Sequence, residues 1–293
     1  MAAVTDTVRP SPRRQMLGRA LRHPGLIFSG LVLLAIVLIA ISAPLIAPYD
    51  PYKQSLVTRL KPPVWLGGTW AHPFGTDALG RDMLSRLVFG ARVSLLIGVV
   101  SASVSAVIGA TLGISAGYFG GRVDRFVQYL INVRLAMPVI LVALATVALL
   151  GGSMTVVIMV LGLLLWDRFA VVLRSATMQV RSMEYIAAAE MLGARRSRIL
   201  WKDVLPNVMN HLIVVLTLEM AHAIILEAAL SFLGLGVQPP TPSWGLMLSE
   251  GKEMLLFDSW LIMIPGVALF ALVFAINMFG DGIRDVTAPE GRN

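Results

Sequence analysis

Apolar residues along this chain gather into long uninterrupted blocks, not at the helical or alternating spacing that marks one buried face of a soluble domain. The first block, Leu26–Ala47, holds roughly 22 residues. That matches the ~20 needed to cross ~30 Å of hydrocarbon and exceeds the roughly 7–15 of a cleaved signal peptide. Five further blocks, at about 91–117, 127–151, 154–176, 208–231 and 258–280, predict an all-α membrane protein with six transmembrane helices. The polar stretches divide the chain into an N-terminal arm (1–25), the first helix (26–47), a loop (48–90), a five-helix core (91–280) and a short tail (281–293). Pro62-Pro63 and His72-Pro73 make the 48–90 loop irregular, and Pro239-Pro240-Thr241-Pro242 forces a turn inside a second loop, 232–257.

Composition agrees with that pattern. The chain is 57% hydrophobic and 14% charged, with a mean hydropathy of +0.78, whereas soluble domains are near half apolar and a quarter charged. A net charge of +7 would suit nucleic acid only if a soluble face carried it, so no nucleic-acid partner is expected. The charge has a topological reading instead. Of the Lys and Arg residues, 16 fall in segments that six spans place in the cytoplasm and seven in the external ones, which predicts that both termini are cytoplasmic. Arg81, Arg86 and Arg92 in or beside the 48–90 loop weaken the bias. With no cysteine and four scattered histidines, neither a thiolate site nor a metal motif is expected.

The segment 181–207 is too charged to cross a bilayer and too rich in helix formers to be a loose loop. Ala187, Ala188 and Ala189 favour helix, whereas Gly193 weakens it and permits a sharp turn; helix, bend, helix is predicted. Small residues allow close approach of a docked partner, Arg195, Arg196 and Arg198 offer charge to an acidic rim, and Pro206 is expected to end the segment where the fifth span begins. Two readings stay open on these features: a platform on which a soluble motor pushes, and an amphipathic helix resting on lipid headgroups.

The stretch resembles the "EAA" loop of binding-protein-dependent ABC importers. Ala188, Ala189, Gly193, Leu205 and Pro206 match that pattern, while Ala187 stands where glutamate is usual and Asp203 where isoleucine is usual. Three more stretches, His72–Leu95, Glu227–Gly245 and Phe279–Asp285, are similar to the dipeptide/oligopeptide permease family, in its DppC/OppC-type subunit. The resemblance covers nearly the whole chain. It implies a type I ABC importer permease core in a bacterial cytoplasmic (inner) membrane, a DppB/OppB-type permease partner, two ATPase subunits, an extracytoplasmic substrate-binding protein and peptide cargo. Glutathione or a nickel chelate are alternative cargoes. Glu184, Tyr185, Ala188, Ala189, Glu190, Gly193, Arg195 and Pro206 are then the expected contacts with the ATPase.

Ionisable groups inside a bilayer are costly and usually face protein or water. Glu219, His222 and Glu227 fall within about 140° of helical arc, so all three are candidates for a translocation pathway, Glu227 having local backbone hydrogen bonding as its structural alternative. Asn132 and Arg134 are further candidates, Asn132 standing where the resembling family usually has aspartate. Trp166, Asp167 and Arg168 are expected to end the fourth span as an interfacial anchor with a local ion pair. His72, Asp77 and Asp82 read as an external cap or docking surface, their loose spacing defining no coordination shell. No Gly-x-x-x-x-Gly-Lys-[Ser/Thr] loop occurs, and no catalytic constellation is recognised. ATP and Mg are therefore expected in partner subunits, with no cofactor in this chain. An ion-coupled secondary transporter would carry inverted repeats, which are not seen, and an intramembrane enzyme would need more than His222 beside Glu219.

Overall fold

The computed structural model describes residues 18–287, and among them the regular structure is helical. Arg9, Arg13 and Arg14 of the arm and the end of the tail lie outside the described residues. Helix α1 (Pro24–Ile41) begins on Pro24, with the ring of His23 accepting from the Leu26 amide at 3.1 Å, and is followed by the single turn α2 (Ala43–Ile46). After the irregular loop comes α3 (Met83–Phe119), then α4 (Gly121–Leu135) and α5 (Val139–Leu150). Next are α6 (Met154–Leu164), α7 (Asp167–Arg181) and α8 (Glu184–Met191). The short α9 (Arg196–Ile199) passes through a π turn, Leu200–Val204, into α10 (Leu205–Phe232). Helices α11 (Trp244–Lys252) and α12 (Trp260–Thr287) are the last of the described elements.

Among the described residues five helical stretches are long and apolar enough to span a membrane, and a sixth is supplied only by α4 and α5 taken together, bent by 80°. The block 127–151 is thus not the straight span expected. The twelve residues of α5 reach only about 18 Å, too short for ~30 Å of hydrocarbon, and Pro138 breaks the helix because its residue before is disfavoured in the helical region. Two boundaries also shift. Helix α3 starts at Met83 instead of near 91, because Asp82 caps it by accepting from the Ser85 amide at 2.8 Å. The fourth span does not end at Trp166–Arg168; after a break at Leu165–Trp166 it continues as α7 to Arg181.

Helices α3 and α10 form the centre: α7 and α6 pack on one side, α12 and then α1 on the other, with α11 lying against α10 and α12. The closest packing is between α3 and α7. Gly109, Gly113 and Gly117 repeat every fourth residue and so share one face of α3. A Cβ on Gly113 would lie 2.6 Å from the Ala170 carbonyl oxygen, one on Gly117 2.6 Å from that of Arg174, and one on Gly109 2.4 Å from that of Trp166. Backbone therefore touches backbone, the small-residue packing that replaces a hydrophobic driving force inside lipid.

Candidate functional site

The segment between α7 and α10 folds as helix, bend, helix. Gly193 makes the bend at φ +76°, a left-handed conformation that side chains disfavour. Ile186 and Ile199 pack beneath it with Tyr118, Leu173, Val180, Val204 and Val208, which anchors the segment to the ends of α3, α7 and α10. Its outward face carries Glu184, Tyr185, Ala188, Glu190 and Arg195, with Ala189 half-buried. Tyr118 donates to Glu190 at 3.2 Å and Asn207 to the Tyr185 hydroxyl at 3.2 Å, so two of the expected contacts also tie the segment to its neighbours.

Pro206 acts differently from expectation. Helix runs without interruption from Arg196 to Phe232, and the π turn, in which the Leu205 amide bonds to the Leu200 carbonyl, widens the coil just before the proline. A proline lacks an amide hydrogen and crowds the preceding turn; placed in the first turn after a π bulge, it starts α10 in register instead of stopping the chain. The second half of the segment is thereby one rigid rod with a membrane-spanning helix. Sequence reasoning also missed Met191, Leu192 and Trp201, which are 87%, 88% and 72% exposed on the same surface. The signal was present, since these large apolar residues fall off the positions that Ile186 and Ile199 use for burial.

The polar residues of the spans do not form one row. Glu227 is fully buried, accepting from Ser231 Oγ at 2.7 Å and Ser243 Oγ at 3.0 Å. Ser243 also caps α11 through the Leu246 amide. Glu227 is therefore a peg that fixes the start of α11, bonded to side chains and not to local backbone. Glu219 is only 1% exposed and accepts from Arg168 Nη1 at 2.9 Å, with the ring of His222 at 3.3 Å. The ion pair of Arg168 is thus with a residue on α10, not the local one expected with Asp167. Arg134 is buried and donates through Nε to the Leu164 carbonyl at 2.6 Å and through Nη1 to that of Met137. It closes the orphan carbonyl at the end of α6 and holds together the two helix breaks. Asn132, two residues away, is exposed.

At the opposite end of the bundle from the 181–207 segment, the loop around residue 80 is clamped by ion pairs. Arg81 Nε reaches Asp77 at 2.6 Å and its Nη2 reaches Glu250 at 2.9 Å, while Arg86 Nη1 bonds both Asp77 and Glu250. Burial alone would lower the pKa of Arg81, but the carboxylates of Glu250 and Asp77 outweigh it and hold the guanidinium above its ordinary value. Two of the three arginines that weaken the charge bias, Arg81 and Arg86, are thus matched inside the fold. His72 and Asp82, 2.9 Å apart, lie beside the cap of α3. Asp77→Asn keeps the acceptors for the Leu79 and Arg81 amides but leaves two buried guanidinium groups sharing Glu250. The expected cost is about 3–5 kcal/mol, as for other broken buried pairs, read as a lowered midpoint of thermal unfolding in detergent; an unchanged midpoint refutes the clamp.

Several long apolar helices, two of them broken inside the bundle, together with a rigid polar segment bolted to a spanning helix, define a multi-pass membrane permease. The family model described as "Binding-protein-dependent transport system inner membrane component" matches residues 109–292, and "N-terminal TM domain of oligopeptide transport permease C" matches residues 11–63. This chain belongs to the family of binding-protein-dependent transport system inner membrane components, in the bacterial inner membrane. It is 40% identical to the di/tripeptide transport system permease protein DppC of Pseudomonas aeruginosa, over 100% of this chain and 97% of that one. Identity is 38% to the dipeptide permease DppC of Haemophilus influenzae, covering 91% and 89% of the two chains, and 36% to the glutathione permease GsiD of Pectobacterium atrosepticum, covering 99% and 95%. In fold it is similar to the inward-facing MetNI methionine ABC transporter, with a TM-score of 0.57 and 20% identity, over 70% of this chain and 98% of that one.

Proposed function

We propose that this chain is one of two homologous permease subunits of an importer that moves di- or oligopeptides inward, with a DppB/OppB-type chain as its partner. An extracytoplasmic binding protein delivers the peptide, and two separate ATPase subunits, using ATP and Mg, supply the work. In this reading both termini and residues 181–207 are cytoplasmic. The observation that carries the mechanism is the continuous helix Arg196–Phe232. An ATPase seated on Tyr185, Ala188, Ala189 and Gly193 moves α8 and, across the bend, levers α10 as a rigid body, exchanging two packed arrangements of the bundle. The exposed Met191, Leu192 and Trp201 are the apolar anchors of that seat, which favours protein over lipid headgroups as its occupant. Peptide cargo rests on the names of the DppC relatives. The GsiD relative makes glutathione, itself a peptide bearing free carboxylates, the second reading.

The test is reconstitution in proteoliposomes with the DppB/OppB-type subunit, both ATPase subunits and the binding protein, following ATP-driven uptake of labelled dialanine and of glutathione. Uptake is expected only from the complete assembly. Uptake by this chain alone in an ion gradient would replace the proposal with secondary transport, and glutathione uptake without dialanine uptake would select the second cargo.

A further inference from the structure

Arg168 is placed where an arginine has to be used. It follows the apolar stretch Met154–Leu165 and precedes the apolar stretch Phe169–Leu173, so it lies at hydrocarbon depth. Its side chain is nevertheless 59% exposed. A guanidinium at that depth is costly against lipid, so its open side faces a partner protein or water. It is also held in place. Among the described residues its one ion pair, Nη1 to the buried Glu219 at 2.9 Å, occupies one corner of the fork, and His222 steadies the other oxygen of that carboxylate. Among the described residues Nε and Nη2 have no partner. A guanidinium offers carboxylate groups a bidentate edge, and here the edge formed by Nε and Nη2 is the free one.

The surroundings add to this. Arg134 ties the break after α4 to the end of α6, one turn before Arg168, so the N-terminus of α5 opens at the same level. Among the described residues no side chain caps α5, and its first amides point their positive ends outward. Two sources of positive potential, a fixed cation and an uncapped helix start, therefore flank one stretch of the bundle between its two broken helices.

We propose that Arg168 is a cargo-contacting residue of the translocation pathway, its free guanidinium edge taking the carboxylate of the passing peptide while Glu219 and His222 act as positioning residues. This rests on the reading that the chain lines a peptide pathway. Glu219 keeps the arginine aimed and, by neutralising part of its charge, keeps the contact weak enough for the peptide to leave.

The experiment uses the complete importer in proteoliposomes and records dialanine taken up per ATP hydrolysed. Arg168→Gln is expected to lower that ratio about tenfold, the size of one lost charge-assisted hydrogen bond, and Arg168→Lys to recover several-fold of the loss. The deciding variant is Arg168→Gln with Glu219→Gln. If Arg168 only neutralises Glu219, removing both charges restores the ratio, and the proposal is overturned; if Arg168 meets the cargo, the double variant stays low. A normal ratio in Arg168→Gln, or a lysine variant no better than glutamine, also overturns it. Failure of the unsubstituted importer to take up dialanine would strike the functional reading itself and not this assignment.

Discussion

Gly113→Val is expected to destabilise the folded protein severely. The Cβ alone would sit 2.6 Å from the Ala170 carbonyl oxygen and 3.0 Å from its Cα, both backbone atoms of α7 that cannot rotate away. Helices α3 and α7 must then separate, and Gly109 and Gly117, which make the same kind of contact one turn to either side, lose theirs together. The loss is at least about 3 kcal/mol, the upper end of ordinary overpacking, against a total stability of about 5–15 kcal/mol. Little monodisperse full-length chain should be extracted from membranes, and what is extracted should unfold at a lower temperature. Thr111→Val adds no new branch point and lies on the exposed side of the same helix; it should behave as the parent does. A Gly113→Val protein with the parent's yield and unfolding midpoint would show that the glycine stripe does not set the helix spacing.

That stripe was legible in the sequence, as glycines four apart in an apolar run, yet hydropathy blocks alone do not call attention to it. What the blocks do convey is the number and order of spanning elements, because burial in lipid demands long apolar runs whatever the packing. They fail where a polar residue finds its partner far along the chain. Helix α3 can start early, at its Asp82 cap, because the charge of Arg86 is paired with Asp77 and Glu250, the latter 164 residues away. Arg168 read as the end of a span for the same reason, its partner Glu219 lying 51 residues on. Helical arc placed Glu219 and Glu227 on one side of α10, but arc says nothing about which neighbours cover that side, and Ser231 and Ser243 close over Glu227. The bend in 181–207 was readable from Gly193 because its cause is local. The continuation of helix through Pro206 was not, since a π turn has no comparable signature in residue type.

Gly193→Leu should separate folding from coupling. The conformation at φ +76° costs a side chain roughly 1–2 kcal/mol, and nothing lies within 4 Å of the added Cβ, so there is no clash to unfold the protein. Insertion and yield should stay close to those of the parent. The leucine would, however, project from the bend, beside Leu192 and Trp201 and next to the half-buried Ala189, where the proposed ATPase seat needs close approach. It would also favour a straightened bend, so that displacement of α8 reaches Arg196–Phe232 along a different direction. ATP-driven uptake by the complete importer is therefore expected to fall at least about tenfold, equivalent to 1.4 kcal/mol or more of lost coupling. Gly193→Ala carries the same backbone strain with almost none of the bulk, and comparison of the two apportions the loss. A small loss in alanine and a large one in leucine locates the effect in docking, whereas equal losses locate it in the bend. Full uptake by the leucine variant would mean that the motor does not push on this segment.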